Sequence, residues 1–136
     1  MPFVSVTRLR VRSLLYLPQF FWYAVKSARQ AERSSGFLGG RIMREAKNAF
    51  WTVTVWENDA AMNVFRTQGA HRVVMPKLLA WCDEASVVHW TQETPALPTW
   101  QEAYQRLLKE GRPSKSEPPF RRSSRASISA PAPRPL

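Results

Sequence analysis

Two histidines are the side chains of this sequence best suited to proton transfer. His71, followed by Arg72, lies at the start of a predicted helix, and His89 lies in a predicted strand. Because an imidazole changes its charge near neutral pH, His71 and Arg72 are the candidate catalytic residues. The structural alternative for His71 is a helix cap or a hydrogen bond to a neighbouring backbone group. For His89, a packed core or interface position competes with a place in a ligand pocket.

The sequence lacks the spacings that build a metal site or an activated nucleophile. It contains no His-x-x-x-His, His-Glu-x-x-His, Cys-x-x-Cys or Gly-x-Ser-x-Gly pattern and no phosphate loop. We therefore expect no protein-made zinc or non-haem iron site. The single cysteine, Cys82, follows Trp81 on a predicted helix and is expected to be inert. Asp83 and Glu84 are expected to end that helix and to face water.

Aromatic side chains are the most unusual feature of the composition. Six tryptophans occur among 136 residues, more than a small core needs. Core packing is the alternative for any single ring, but the surplus suits a pocket for a flat or polyene hydrophobic small molecule. Thr52 and Thr54 are polar groups expected near such a pocket. The predicted ligand-pocket residues are Phe21, Tyr23, Trp51, Trp56, Trp81 and His89.

Hydrophobic periodicity places these residues on an alternation of strands and helices. Strands are predicted over 3–12, 37–45, 50–57 and 85–91. Helices are predicted from about Leu17, after a cap at Asn58 or Asp59, and from about His71 to Cys82. Pro76 is unfavourable in the last of these, because proline is tolerated only near the first turn of a helix. A capping box over 99–102 opens a final helix that ends at Gly111. The order β-α-β-β-α-β predicts a ferredoxin-like α+β fold with both helices on one face of an antiparallel sheet.

The third predicted strand carries bulky side chains on both faces. On one side lie Trp51, Val53 and Val55, and on the other lie Phe50, Thr52, Thr54 and Trp56. A soluble monomer usually leaves the helix-free face of its sheet polar. We therefore expect a homodimer in which two bare sheet faces pack together.

The net charge of +10 is unevenly distributed along the chain. Residues 112–136 hold six basic groups, one acidic group and six of the eleven prolines. We therefore expect a folded domain over 1–111 and a disordered, basic, Pro/Ser-rich tail over 112–136. Arg8, Arg10 and Arg12 alternate along the first strand and are expected at a solvated edge. Since no recognition helix or RNP-type aromatic pattern is visible, we expect no specific nucleic-acid partner.

The apolar run from Leu14 to Val25 is too short to span a membrane. It extends over about 12 residues, against the roughly 20 that a spanning helix needs, and Pro18 interrupts it. A single cysteine cannot form an internal disulfide, which favours a reducing compartment. We therefore expect a cytoplasmic protein without a membrane span.

Several segments resemble the dimeric α+β barrel superfamily. They are Gly36-Phe-Leu-Gly-Gly-Arg41, Phe50-Trp-Thr-Val-Thr-Val-Trp-Glu57, Asp59-Ala-Ala-Met62 with Phe65, and Gly69-Ala-His-Arg72 with Met75-Pro76. Together they cover about residues 3–92 and mark the third strand turning into the second helix. Within the superfamily, the chain is most similar to a bacterial branch near the antibiotic biosynthesis monooxygenase (ABM) domain and spheroidene monooxygenase.

This resemblance implies a monooxygenase-like protein, an oxidoreductase that acts on a hydrophobic aromatic or isoprenoid small molecule. It leaves the cofactor open, because the superfamily includes haem-dependent and cofactor-free members. In the haem version His71 would be the axial ligand, and in the cofactor-free version it would transfer a proton. A non-catalytic ligand-binding or interaction module of the same fold is the alternative.

Overall fold

The computed structural model describes residues 1–113, and the side chains of all of these except positions 75, 78, 79, 112 and 113. Most of the predicted disordered tail, residues 114–136, lies outside the described residues. The first two residues of that predicted tail, Arg112 and Pro113, pair with the neighbouring strand of the sheet.

The described chain contains five strands and four α-helices. The strands are β1 (Phe3–Val11), β2 (Phe37–Glu45), β3 (Ala49–Trp56), β4 (Cys82–Thr91) and β5 (Arg112–Pro113). The helices are α1 (Leu17–Glu32), α2 (Asp59–Arg66), α3 (Gly69–Trp81) and α4 (Trp100–Glu110), and a 3-10 turn over Leu14–Tyr16 precedes α1. Within this part of the chain, no helix is long and apolar enough to cross a bilayer.

The strands form one antiparallel sheet in the order β2-β3-β1-β4-β5. The first four strands and their connecting helices have the predicted ferredoxin-like βαββαβ arrangement. Local signals position the elements as expected: Asn58 Oδ1 accepts a hydrogen bond from the Ala61 amide at 2.9 Å, and Thr99 Oγ1 accepts one from the Glu102 amide at 3.1 Å. Lys47 and Asn48 both adopt φ of 62° in the β2–β3 hairpin.

One face of the sheet is covered by α1, α2 and α3. Cross-strand pairing places Phe3, Leu9, Phe50 and Trp56 on this face. Two apolar clusters hold the helices against it. The first contains Val11, Phe20, Phe50, Val74, Trp81 and Cys82, and the second contains Ala31, Trp56, Met62 and Phe65.

The opposite face of the sheet is covered by α4, so the expectation of a bare face is wrong. Ala103 and Leu107 of α4 pack in one cluster with the sheet, and Leu97, Trp100, Tyr104 and Leu108 contact it. The sheet side of this cluster consists of Val4, Val6, Met43, Trp51, Val53, Val55, Val88 and Trp90. Both faces of β3 are apolar, as predicted, but the chain covers the second face with its own C-terminal helix. A bare sheet face was the physical reason for expecting a homodimer, and this reason does not apply. The homodimer stays a prediction.

A buried ion network lies on the α4 side of the sheet, which corrects two sequence expectations. Arg8 was expected at a solvated edge and Glu84 in water, yet both are 0% exposed. The Arg8 guanidinium donates two hydrogen bonds of 2.9 Å to Glu45 and one of 3.3 Å to Glu84. Trp51 Nε1 donates to Glu45 Oε1 at 2.6 Å. Burial lowers the pKa of Arg8, but the hydrogen bonds and charges of Glu45 and Glu84 outweigh burial and raise it overall.

The start of β4 and the place of Pro76 also differ from expectation. β4 begins at Cys82 rather than at residue 85, so Cys82, Asp83 and Glu84 belong to a strand and not to a helix end. Arg12 Nη2 donates to the Cys82 carbonyl at 3.1 Å and helps hold this first residue in the sheet. Pro76 lies inside α3 rather than near its first turn. The packing of α3 against α1 and β4 outweighs the local cost of a proline there.

Replacing Arg8 by Met should lower the free energy of unfolding by about 3–5 kcal/mol, because it leaves two buried carboxylates without their shared cation. The matched control is Arg10→Met. The Arg10 side chain is 29% exposed and lies 3.5 Å from the buried Glu84 and 3.7 Å from Asp83, so its loss should cost clearly less than the loss of Arg8, which bonds Glu45 at 2.9 Å in two places. Urea unfolding of both variants measures the difference. Equal losses for the two variants would contradict the buried-network account.

Candidate ligand cleft between the first helix and the sheet

The middle of the helix-covered sheet face is polar, unlike its two ends. One cross-strand row contains Gly40, Thr54, Ser5 and His89, and the next contains Ile42, Thr52, Thr7 and Val87. The three threonines and His89 are only half-buried, whereas Phe50 and Trp56 at the two ends of β3 are fully buried. The sheet therefore presents hydroxyl groups where a monomer core would normally present apolar side chains.

The helix above these rows presents small side chains. α1 is fixed at both ends: the Phe20 ring lies 5.1 Å from the Phe50 ring, and Ala31 packs in the cluster of Trp56. Phe20 to Ala31 spans about 16 Å of helix, and Phe50 to Trp56 spans about 20 Å of strand. Ala24 and Ser27, on the same helix face, therefore lie above Thr52 and Thr54.

Thr7, Thr52 and Thr54 remain partly exposed beneath α1, and we infer that the small side chains opposite them leave space between α1 and the sheet. We call this space the central cleft and define it by Ala24, Ser27, Thr7, Thr52 and Thr54. Ser27 Oγ is buried and has no hydrogen-bond partner among the described residues. A buried hydroxyl of this kind is normally paired, so it marks a position where a ligand or a water can bond.

Aromatic rings close the two ends of the central cleft. At one end, the Phe21 ring lies 5.3 Å from Phe50, and the Tyr23 ring lies 5.8 Å from Trp81. At the other end, the Trp56 ring contacts Phe65 at 5.1 Å, and its Nε1 is buried without a partner among the described residues. Apolar walls with a few hydroxyls are the usual lining of a small-molecule site.

The predicted pocket residues therefore divide into three groups. Phe21, Tyr23 and Trp81 lie at one end of the cleft, and Trp56 lies at the other. His89 shares a sheet row with Ser5, and its ring lies 5.1 Å from Phe3. Trp51 does not join them, because it lies on the α4 face and bonds Glu45.

His71 lies on the inward face of α3, three residues before the buried Val74. Its ring packs on Phe65 with centroids 4.7 Å apart, and its Nδ1 lies 3.2 Å from the Arg66 carbonyl oxygen. Since a carbonyl only accepts, Nδ1 carries the proton and Nε2 keeps its lone pair. Burial lowers the pKa of His71 from 6.5, although the Arg66 carbonyl partly opposes this. His71 is thus a neutral base at pH 7.

Gln30 connects α1 to the start of α3 and positions His71. Its Nε2 donates to the carbonyls of Phe65 and Gln68 at 3.0 and 2.6 Å, and its Oε1 accepts from the His71 amide at 3.0 Å. Gly69 allows this approach, because a Cβ there would lie 2.9 Å from Gln30 Cδ and φ is +60°. Gln30 and Ser27 were not predicted as site residues, because a single Gln or Ser in a helix forms no motif. The only indication of them in the sequence was the row of small residues along one side of α1.

The remaining candidate residues lie apart from the cleft or lack reactivity. Arg72 is exposed and forms no ion pair among the described residues, so it does not contact His71 as a catalytic partner. Burial raises the pKa of Cys82 to about 12, which keeps the thiol protonated and supports its inert assignment. Within residues 1–113, no cluster of three or more His, Cys, Asp or Glu residues could hold a metal ion.

An open groove of about 830 Å³ lies outside the cleft, between α1 and α2. Lys26, Arg29 and Arg33 line its α1 side, and Ala61 and Val64 line its α2 side. Gln30 and Phe65 also border this groove, and none of the five residues that define the central cleft lines it.

A family model supports assignment of the chain to a known family. The model described as "Domain of unknown function (DUF3291)" matches residues 16–131. A comparison with curated proteins gave no match.

Solved structures establish the fold. SnoaB, a cofactor-independent oxygenase from Streptomyces nogalater, superimposes with a TM-score of 0.58 at 19% identity, over 68% of this chain and 94% of SnoaB. A putative antibiotic biosynthesis monooxygenase from Nitrosomonas europaea gives 0.60 at 13% identity, over 68% and 99% of the two chains. One from Bacteriodes thetaiotaomicron gives 0.61 at 14% identity, over 72% and 95%. At these identities the similarity concerns the fold alone.

The pKa of His71 should lie below 6.5 when imidazole resonances are followed by NMR, because burial disfavours the charged ring. A lowered folded-state pKa means that the unfolded chain binds more protons just below pH 6.5. The stability contributed by neutral His71 is therefore complete above that pH and is lost as the pH falls through the folded-state value. His71→Gln, which cannot titrate, assigns the resonance and should flatten this part of the stability profile. A His71 pKa at or above 6.5 would contradict the buried, neutral assignment.

Proposed function

The chain belongs to the DUF3291 family and has the fold of antibiotic biosynthesis monooxygenases, and we propose that it binds a hydrophobic aromatic or isoprenoid small molecule in the central cleft and oxygenates it. The observation that carries this proposal is the partial exposure of Thr7, Thr52 and Thr54 on a sheet face that α1 covers, together with the buried Ser27 hydroxyl that has no partner among the described residues. The isoprenoid alternative depends only on the sequence resemblance to spheroidene monooxygenase.

The chemistry of the cleft suits a substrate that loses a proton and then reacts with dioxygen. Aromatic ends exclude water and hold a flat ring, and the threonine hydroxyls orient polar substituents. We assign the proton-accepting role to His71, which packs on Phe65 next to Trp56 at one end of the cleft and keeps a lone pair on Nε2 because its Nδ1 is held by the Arg66 carbonyl. An electron-rich substrate anion can reduce dioxygen without a cofactor, so that one oxygen atom enters the substrate and the other leaves as water with two hydrogens from the substrate. SnoaB is described as a cofactor-independent oxygenase.

The surroundings of His71 do not fit a haem group. An axial histidine needs an open, flat space beside its free ring nitrogen, with room for the macrocycle. Phe65 instead packs on the His71 ring at 4.7 Å, and the neighbouring 830 Å³ groove is lined by Phe65, Gln68 and Ala70 rather than by His71. No step of the proposed reaction therefore runs through haem.

A non-catalytic ligand-binding module is the second candidate function. Two observations favour it: Arg72 is exposed, and His71 already has structural contacts to Phe65, Arg66 and Gln30. In this case the cleft binds the same class of molecule without turnover.

As part of this proposal, the protein is a homodimer and lies in the cytoplasm. ABM-like folds support self-association, but a dimer through the α4 face requires α4 to move or to join the interface, because that face is already buried.

The proposal is tested with anthrone, a flat tricyclic ketone that loses a proton to give an electron-rich anion. Tryptophan fluorescence measures binding, and an oxygen electrode measures turnover. Ser27→Leu fills the cleft and should weaken binding at least tenfold, whereas Gln19→Leu, on the exposed side of the same helix, should leave it unchanged. Ala24→Met is a second filling variant if Ser27→Leu is unstable.

His71→Gln should preserve anthrone binding and lower oxygen uptake by about 10²–10⁴-fold, as expected for loss of a general base. Binding without oxygen uptake in the unmodified protein would favour the non-catalytic module. Undiminished binding to both cleft-filling variants would show that the central cleft is not the site.

A further inference from the structure

The outer face of α1 and the 3-10 turn before it carry exposed apolar side chains. Leu14 and Leu15 of the turn are 66% and 85% exposed, and Trp22 and Val25 of α1 are 61% and 51% exposed. Trp22 and Val25 are three residues apart and therefore lie on one side of the helix. Single exposed apolar residues are ordinary, but a contiguous group that includes a tryptophan marks an interaction surface.

These side chains have no role in holding α1 to the sheet. Phe20, Ala24, Ser27 and Ala31 form the opposite, inward face of the helix, and the aromatic contacts to Phe50 come from Phe20 and Phe21. The outer apolar residues are thus free to contact another surface. We call Leu14, Leu15, Trp22 and Val25 the apolar patch.

Cations continue the same face of α1 beyond the apolar patch. Lys26, Arg29 and Arg33 follow at helical spacing and form no ion pair among the described residues. Lys26 Nζ lies 4.8 Å from the centroid of the Trp22 ring, so apolar and cationic groups are in direct contact. Glu32 is the single acidic residue of the helix.

This combination favours an anionic lipid surface over a second copy of the chain. Tryptophan and leucine insert at the level of lipid headgroups, while lysine and arginine attract anionic headgroups. If two copies of the chain paired through α1, an antiparallel arrangement would place the apolar end of one helix beside the cationic end of the other. A parallel arrangement would set cation against cation.

We propose that the outer face of α1 docks the protein on anionic membranes, with Leu15, Trp22 and Val25 inserted among the headgroups and Lys26, Arg29 and Arg33 contacting lipid phosphates and carboxylates. The helix lies along the surface and does not cross it. The docking surface depends on the exposure and charge of α1 and is independent of any ligand in the central cleft.

Flotation of the full chain with lipid vesicles tests the charge requirement. The protein should float with vesicles of phosphatidylcholine and phosphatidylserine at 0.1 M salt and remain unbound with phosphatidylcholine alone. Arg29→Gln/Arg33→Gln should reduce the partition coefficient by about 25-fold, from the usual contribution of two basic residues at such a surface. The matched control is Arg41→Gln/Arg44→Gln, which removes the same charge from exposed positions on β2 and should have a much smaller effect.

The apolar requirement is tested by Trp22→Ser against Leu38→Ser, which changes an exposed leucine on β2. Only Trp22→Ser should lower vesicle binding, and only this variant should lose the blue shift of tryptophan emission on adding vesicles. If the two double arginine variants lowered vesicle binding equally, the protein would be attracted to the vesicles by its net charge alone, and the proposal would be overturned. Binding to soluble dextran sulfate that depends on Trp22, without vesicle binding, would instead indicate an acidic macromolecular partner and would also overturn it.

Discussion

Burial of both faces of one sheet is the constraint on which the rest of this structure depends. β3 carries Trp51 on one side and Trp56 on the other, and both side chains are fully buried. A two-layer ferredoxin-like fold covers only one face, so a further element has to cover the second. In this chain α4 does so, with Ala103 and Leu107 packed against the sheet. Because α4 closes that side, the remaining space for a ligand lies on the other side, between α1 and the threonine rows.

The side of the sheet under α4 also contains the buried ion network. Arg8, Glu45 and Glu84 are removed from water in the same layer as the apolar cluster, which is costly unless their charges and hydrogen bonds match closely. The bidentate Arg8–Glu45 pair and the Trp51 hydrogen bond to Glu45 meet this requirement. The network joins β1, β2 and β4 at one level and thereby fixes their register. The two sheet faces thus have different characters: an ionic, sealed layer under α4, and a hydroxyl-lined, partly open layer under α1.

Much of this fold could be predicted from the sequence, because its signals are local. Strand alternation, the Asn58 and Thr99 caps and the apolar spacing of α4 each determine their own element. The sequence did not predict which surface α4 covers, since an amphipathic helix defines its apolar side but not its partner. Arg8 and Glu84 were assigned to solvent because charged residues usually lie there, and because Arg8 is distant in sequence from both of its carboxylate partners, Glu45 and Glu84. The start of β4 was missed because no glycine or proline marks the change from helix to strand at Trp81-Cys82-Asp83. His71 was identified by residue type, whereas the cleft arises from small residues that only the packing of α1 reveals.

Occupancy of the central cleft is the claim that most directly links this fold to a function. Amide chemical-shift mapping by NMR with anthrone as the probe tests it at the level of single residues. The account predicts the largest shifts at Ser27, Thr52 and Thr54, with small shifts on α4, because α4 packs on the far side of the sheet. Shifts concentrated on α4 or on the groove residues Arg29 and Val64, with none at the threonine rows, would contradict it.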